Sequence, residues 1–345
     1  MEENSQPKGI QLVGSVPLED SGSVFDLASS LLGQHLHRIP DGETGERSNW
    51  VRWQFAVLAE TPQLETVTYS AGKYGKSTTQ VKLRSGYSAE DIEFGPLGYS
   101  EAAISSYAEF AKQKQAGKIP ASVRFQVSLP TPLAPLQFYV AAEDRAEIEP
   151  IYEAKLLREL EEIVEAIPAS ELAIQWDTAV EFGILEGVFP TFLVDPPSAI
   201  LDRLVRLGNS VPAEVELGYH LCYGDSGHKH FVEPKDTAHL VNVANGIANG
   251  LKRPLNWVHL PVPKERFDQA FYLPLQSLSL HAETELYLGL IHDTDGVEGT
   301  QKRIEAALKV IDEFGLATEC GFGRRPSETV PDLMQIHAAV AAPIR

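Results

Sequence analysis

Eight short apolar segments recur along the chain, and helical patterns follow most of them. The segments lie at residues 10–16, 36–40, 121–129, 172–176, 213–221, 255–260, 285–291 and 316–321. Helices are predicted at residues 24–32, 48–60, 143–167, 198–207, 234–248, 298–314 and 330–340. Strands that alternate with helices are typical of βαβ units and a parallel sheet. Eight such units predict a single (β/α)8 barrel, an α/β fold in which residues 1–345 form one domain.

An open, doubly wound sheet is the alternative to the barrel, and no G-x-G-x-x-G motif follows the first strand to favour it. Residues 63–98 do not follow the alternation of strands and helices. Residues 66–69 and 81–84 instead alternate apolar and polar side chains, which predicts a β-rich insertion after the second strand and its helix. The insertion could be a lid, an oligomer contact or a surface hairpin.

The composition excludes several classes of protein. Lys and Arg number 29 against 48 Asp and Glu, a net charge of −19, which argues against a nucleic-acid partner or an anionic membrane. Two cysteines do not make a secreted disulfide framework, and no segment approaches the ~18 apolar residues of a membrane span. The first residues are polar and lack a signal peptide's apolar core. We expect a cytoplasmic protein with a small-molecule substrate, and its oligomeric state stays open.

The predicted strand ends hold the side chains that can carry chemistry. They include both cysteines of the chain and three of its ten histidines: Cys222, Cys320, His220, His259 and His292. Active sites of parallel barrels lie at the carboxyl ends of the strands, so these residues are expected to converge.

His220 and Cys222 are two residues apart in one strand, so their side chains lie on the same face. Cys320 belongs to the last strand, which a closed barrel brings near. One imidazole and two thiolates suit Zn²⁺, and three protein ligands with an open fourth position are typical of catalytic zinc. The alternative is that both cysteines are small, buried apolar residues.

The motifs H-L-C-Y-G, E-C-G and I-Q-W-D resemble the C-terminal catalytic barrel of cobalamin-independent methionine synthase. That family shares its fold with uroporphyrinogen decarboxylase, and the motifs match in order from the first strand to the last. The resemblance implies a zinc-dependent methyltransferase in which His220, Cys222 and Cys320 bind the metal.

The same resemblance assigns further site residues. Those that match substrate-contacting segments are Ser15, Glu43, Arg47, Ser128 and Trp176. Glu43 corresponds to the glutamate that binds the amino group of homocysteine. Asp177 corresponds to an aspartate that contacts the substrate, and His292 lies in the segment of the catalytic histidine.

Two positions depart from the family pattern. His259 stands where a zinc-ligating glutamate is expected, so it is either a fourth ligand or a histidine packed beside Trp257. Asp177 and Thr178 replace an Asp-Glu pair, which favours a substrate other than homocysteine. Folate is a possible but not an assured cofactor.

The residue chemistry gives the candidates these roles. His292 can act as general acid or base near pH 7, and Asp177 and Glu43 can orient an ammonium group. Arg47, Arg324 or Arg325 can bind a carboxylate or phosphate. Each residue also has a structural alternative: Asp177 as a cap, Glu43 as a turn residue, and the two adjacent arginines as a surface pair.

His228 and His230 are either further ligands or solvated loop residues. We therefore predict a zinc-dependent transferase that activates a thiol for methyl or alkyl transfer. The first alternative is a zinc-dependent lyase or hydrolase on the same barrel, because fold alone does not choose the reaction. The second alternative is a non-catalytic protein that binds zinc or another ligand.

Overall fold

The computed structural model describes residues 6–69, 77–225, 227 and 229–344. In chain order the strands are β1 (Arg38–Pro40), β2 (Leu64–Tyr69), β3 (Thr78–Leu83), β4 (Arg124–Pro130), β5 (Leu172–Thr178), β6 (Glu216–Leu221), β7 (Trp257–Pro261), β8 (Glu285–Ile291) and β9 (Gly315–Thr318). Seven of them, β1 and β4 to β9, pair in that order as one parallel sheet, and each overlaps a predicted strand.

The predicted first strand, residues 10–16, is not a regular strand of this sheet. It makes isolated parallel bridges from Ile10 to Leu36 and Leu316, and from Ser15 to the segment after β1. Leu316 lies in β9 and Leu36 just before β1, so the segment contacts both edges of the sheet. The sheet is therefore curled, and the α/β class with parallel strands is confirmed with seven regular strands instead of the eight predicted.

The helices lie between the strands and cover the outer face of the sheet. They are α1 (Ser21–Leu32), α2 (Gln54–Glu60), α3 (Tyr99–Gln115), α4 (Leu133–Tyr139), α5 (Arg145–Ala166), α6 (Val180–Leu185), α7 (Pro196–Asn209), α8 (Ala238–Gly250), α9 (Gln269–Tyr272), α10 (Gly296–Ala307) and α11 (Val330–Val340). The sequence pattern predicts all except α3, α4, α6 and α9. None of the helices in the described ranges is both long and apolar enough to cross a membrane.

The predicted insertion contains an antiparallel hairpin of β2 and β3, with Leu64 opposite Leu83. Residues 70–76, between the two strands, lie outside the described part. The hairpin is attached through β3 to the segment between α4 and α5, because Val81 bridges Val140 and the backbone N–H of Leu83 donates to Asp144 at 2.8 Å.

Glu159 of α5 caps the start of α3. Its carboxylate accepts the backbone N–H groups of Leu97, Gly98 (3.3 Å), Tyr99 (2.7 Å) and Ser100 (3.1 Å). The first N–H groups of a helix lack partners within the helix, and the helix dipole favours a negative charge there. Glu159 is buried, so water cannot replace it as the acceptor.

Replacement of Glu159 by glutamine should lower the free energy of unfolding by about 2 kcal/mol, because a charged acceptor is lost and an amide donor faces buried N–H groups. Urea denaturation measures the change. The matched control is Glu161→Gln in the same helix, where the side chain is 61% exposed and pairs with Arg158, and we expect a change within about 0.5 kcal/mol. Equal effects of the two changes would contradict the capping role.

Candidate metal centre and active site

A cavity of about 550 Å³ lies at the carboxyl ends of the parallel strands. Its lining includes predicted site residues from five places in the chain: Ser15, Glu43, Asp177, His220, Cys222 and Cys320. This is where parallel α/β barrels place their active sites, since the loops after the strands meet there. The cavity is therefore the candidate functional site.

His220, Cys222 and Cys320 converge on one point of the cavity wall. His220 lies in β6, Cys222 directly follows β6, and Cys320 follows β9. Their ligand atoms lie within 4.8 Å of one another, and the two sulfur atoms are 3.9 Å apart. The three donors can hold a metal ion in this arrangement.

The chemical state of His220 suits a metal ligand. Its Nδ1 lies 2.6 Å from Nδ1 of His259, while its buried Nε2 has no hydrogen-bond partner among the described residues. Burial and the neighbouring His259 hold the pKa of His220 well below its usual value, and burial lowers the pKa of His259 to about 3. Both imidazoles are therefore neutral at pH 7, and Nε2 of His220 can offer a lone pair when Nδ1 carries the proton.

The two thiols lie close enough to interact directly. The contact with Cys320 and burial raise the pKa of Cys222 well above its usual value, although the backbone N–H of Gly224 donates to its sulfur at 3.2 Å. Cys222 is thus a thiol at neutral pH when no metal is bound. A metal ion would have to displace its proton, as cysteine ligands generally require.

His259 is fully buried and lies outside this group of three donors. Its Nδ1 lies 2.6 Å from Nδ1 of His220. Its role as a fourth ligand stays a prediction.

Glu43 and Asp177 are two carboxyl groups in the same cavity. Burial raises the pKa of Glu43 to about 7, and burial and the charge of Glu43 raise the pKa of Asp177 well above its usual value. The side-chain amide of Gln175 donates to Asp177 at 2.8 Å, and neither carboxyl forms an ion pair with a described residue. Gly14 leaves space for Glu43, because a Cβ there would lie 3.0 Å from Oε1 of Glu43.

The arginines predicted to bind an anion already have carboxylate partners. Arg47 lies 2.6 Å from Asp41, and Arg324 lies 2.5 Å from Asp225. Arg324 lines the main cavity, whereas Arg47 lines a small adjoining chamber. A substrate anion would therefore compete with these internal ion pairs.

Ser15 and Ser128 line different cavities of the site. Ser15 lines the main cavity, and its hydroxyl accepts the backbone N–H of Gly323 at 3.2 Å. Ser128 lines the adjoining chamber and donates to the carbonyl of Val13 at 3.2 Å. Both serines join the segment at residues 10–16 to the rest of the sheet.

Trp176 is not among the residues that line the cavity, and its contact with substrate stays a prediction. Side chains alternate between the two faces of a strand, and Gln175 and Asp177 face the interior of the curled sheet. Trp176 therefore lies on the opposite face, fully buried in the hydrophobic core.

His292 is also absent from the cavity lining. Its Nε2 contacts the carbonyl of Val262 at 2.9 Å, and its Nδ1 lies 3.5 Å from the carboxylate of Glu319. In this arrangement its ring nitrogens serve these two neighbours instead of a substrate, and its catalytic role stays a prediction.

The alternative that His230 is solvated is wrong. Its side chain is 3% exposed and lies 3.2 Å from Glu233 and 3.8 Å from Glu319. His228 lies outside the described residues.

The sequence inspection missed an aromatic wall, formed by Trp50, Phe138, Tyr139, Phe189 and Phe231, which all line the cavity. The centroid of Phe138 lies 6.2 Å from Trp50, 5.9 Å from Phe189 and 6.4 Å from Phe231. These residues lie beyond the immediate strand ends. The loops that follow β1 and β6 contain Trp50 and Phe231, whereas Phe138 and Tyr139 lie at the end of α4 and Phe189 follows α6, positions that no strand end indicates.

No protein-family model and no curated protein matches the chain. Among solved structures, the chain is similar to a B12-independent methionine synthase from Shewanella sp. W3-18-1 in complex with selenomethionine, with a TM-score of 0.61 and 14% identity over 97% of this chain and 98% of that chain. A putative vitamin-B12-independent methionine synthase from Listeria monocytogenes gives a TM-score of 0.57 and 16% identity with the same coverage. At these identities the likeness shows a shared fold, which the sequence motifs had indicated.

Proposed function

We propose that the protein is a zinc-dependent transferase that activates a thiol for methyl or alkyl transfer. The observation that carries this proposal is the convergence of His220, Cys222 and Cys320 at a cavity of about 550 Å³. The fold shared with proteins described as B12-independent methionine synthases supports methyl transfer as the reaction class.

The donor set fits zinc better than a hard cation, because one neutral imidazole and two thiolates are nitrogen and sulfur ligands. Bound zinc would lower the pKa of a substrate thiol, so that the thiol reacts as a thiolate at neutral pH. Three protein donors leave a fourth position for that thiol.

We propose that His259 orients the imidazole ring of His220. Metal-binding histidines commonly use their second nitrogen in a hydrogen bond that fixes the ring and its tautomer. The distance of 2.6 Å between the two Nδ1 atoms supports this role. The fourth position then stays open for substrate.

Glu43 and Asp177 would hold a cationic group of the thiol substrate. Both are carboxyl groups with raised pKa values and no ion-pair partner among the described side chains, so a substrate ammonium would stabilise their charged forms. The substrate is thereby proposed to be a small aminothiol, and homocysteine is one member of that class.

The site also depends on how the sheet closes. We propose that residues 10–16 act as the eighth strand of a closed barrel. The backbone N–H groups of Phe322 and Gly323 donate to the carbonyl and hydroxyl of Ser15, at 2.7 and 3.2 Å. This places Ser15 beside the loop that carries Cys320.

Zinc X-ray absorption tests the proposal directly. We expect the number of sulfur neighbours to rise from two to three when homocysteine or cysteamine is added to the zinc-loaded protein, with the new sulfur at about 2.3 Å. Methionine, which has no thiol, is the control and should leave the count at two. An unchanged count across a panel of thiols would argue against the transferase and favour a lyase, a hydrolase or a non-catalytic site.

A further inference from the structure

The aromatic wall is adjacent to the three candidate metal ligands His220, Cys222 and Cys320. The backbone N–H of Gly224 donates to the sulfur of Cys222 at 3.2 Å. A Cβ on Gly224 would lie 2.4 Å from the ring of Phe231, so that ring packs directly on the same glycine. A ligand that contacts Phe231 is therefore close to a thiolate held beside Cys222.

The rings of the wall are steeply inclined to one another. The interplanar angle is 72° between Trp50 and Phe138, 87° between Phe138 and Phe189, and 65° between Phe189 and Phe231. Rings inclined in this way and in direct contact offer no slot between parallel faces for a flat heterocycle, whereas a compact group can contact several of them from the cavity side. The electron-rich faces of aromatic rings attract a cation, most strongly where water is excluded.

The charges around the cavity also favour a cation. Arg324 lines the cavity but is already paired with Asp225, which offsets its charge. Arg52 also lines the cavity, but it is exposed to solvent, where its charge is screened. The net charge of −19 raises the local concentration of cations further.

The position of His292 restricts the leaving group. Its ring nitrogens contact the carbonyl of Val262 and the carboxylate of Glu319, so it does not face a donor in the cavity. A methyl group on a neutral amine leaves only when that nitrogen is protonated, whereas an onium nitrogen or sulfur leaves without a proton. A donor that carries its own positive charge therefore needs no proton from His292.

We propose that the alkyl donor is an onium compound, a methylated quaternary ammonium or sulfonium, bound against the aromatic wall. This inference rests on the proposed thiol transfer. The lone pair of the substrate thiolate forms the new S–C bond, and the C–N or C–S bond of the donor breaks. The electron pair of the broken bond stays on the donor atom, which leaves as a neutral amine or thioether. The thiol proton passes to water before the transfer, and no oxidant or reductant takes part.

Isothermal titration of the zinc-free and zinc-loaded full chain tests the donor site. Choline and (2-hydroxyethyl)dimethylsulfonium should bind at least about tenfold more tightly than 3,3-dimethylbutan-1-ol, the uncharged isostere of choline, because only the cations gain the cation–π attraction. Equal affinity for the isostere and the cations, or no binding of either cation to the folded protein, would overturn the inference.

Variants separate the aromatic contribution from general packing. Phe138→Leu and Phe231→Leu should each weaken cation binding about tenfold while changing isostere affinity much less. Phe231→Tyr keeps an aromatic face and should retain the selectivity. Phe94→Leu is the matched control, since Phe94 is half-buried against Tyr152 and does not line the cavity. Equal weakening of cation and isostere would show a packing effect only and would reject the onium site.

Two further readouts keep this inference distinct from the proposed function. Incubation of the zinc-loaded protein with a thiol and each methylated cation should yield the methylated thiol, detected by mass spectrometry, and the active donor identifies the ammonium or sulfonium class. Selective cation binding without a thiol at zinc would reject the transferase but keep the cation site. A thiol at zinc without cation selectivity would reject the onium donor but keep the transferase.

Discussion

Cys222→Ser should leave the purified protein with less than about a tenth of the zinc of the wild type, which we expect to hold about one zinc ion per chain. The change removes one of three donors and replaces a thiolate by a hydroxyl, a poor ligand for a borderline-soft metal. Cys320→Ser should have the same effect, because both sulfur atoms belong to the same cluster. Elemental analysis after zinc-supplemented expression and desalting measures the zinc content.

The matched control for this prediction is Glu43→Gln. Glu43 lines the same cavity but lies outside the donor cluster, so this variant should keep its zinc. The zinc content of His259→Phe should lie between that of the serine variants and that of Glu43→Gln. We expect its zinc affinity to be about 10- to 100-fold weaker, which is typical when the partner of a ligating histidine is removed. Circular dichroism checks that each variant is folded. A folded wild-type protein without zinc, or serine variants with full zinc content, would reject the metal centre.

The order of strands could be predicted because the apolar segments are short and separated by helical patterns. The strand ends then indicated His220, Cys222 and Cys320, since parallel strands end at the same side of a sheet. The position of Trp176 could also have been deduced. Gln175 and Asp177 are two residues apart, so the residue between them must face the opposite side.

Other features depend on tertiary contacts that the sequence pattern does not contain. α3 (Tyr99–Gln115) is rich in small and polar residues, and its start is fixed by Glu159 from α5, 60 residues further along the chain. The ring of His292 is oriented by Val262 and Glu319, which come from other strand ends. Residues 10–16 look like a strand, yet they make only isolated bridges to the sheet.

Charged residues at the amino ends of four strands form a partly buried network at the end of the sheet away from the cavity. Arg38 of β1 lies 2.5 Å from Glu216 of β6 and 2.9 Å from Glu285 of β8, and its guanidinium stacks 4.0 Å from the ring centroid of Trp257. Arg124 of β4 also contacts Glu216, at 2.8 Å. These contacts lie at the ends of the strands away from the cavity, so we expect them to contribute to stability.

Arg38→Met should lower the free energy of unfolding by about 2–3 kcal/mol, less than for a fully buried ion pair because water reaches the two carboxylates in part. The methionine fills much of the volume, but Glu216 and Glu285 lose a buried cation that contacts both. Urea denaturation measures the loss. Lys118→Met is the matched control, because Lys118 is 57% exposed and pairs with Asp26 at the surface, where solvent screens the contact, so we expect a much smaller loss.

The same network should make the free energy of unfolding depend on pH in the acidic range. Burial alone would raise the pKa of Glu285, but His37 and Arg38 outweigh it and lower this pKa from 4.5 to about 2. A carboxyl with a depressed pKa stabilises the fold fully above the unfolded value, and that stabilisation is lost as pH falls from about 4.5 towards 2. Arg38→Met removes part of the cause, so its unfolding free energy should decline less steeply over this interval than that of the wild type. Parallel declines of the two proteins would show that Arg38 does not stabilise the ionised Glu285.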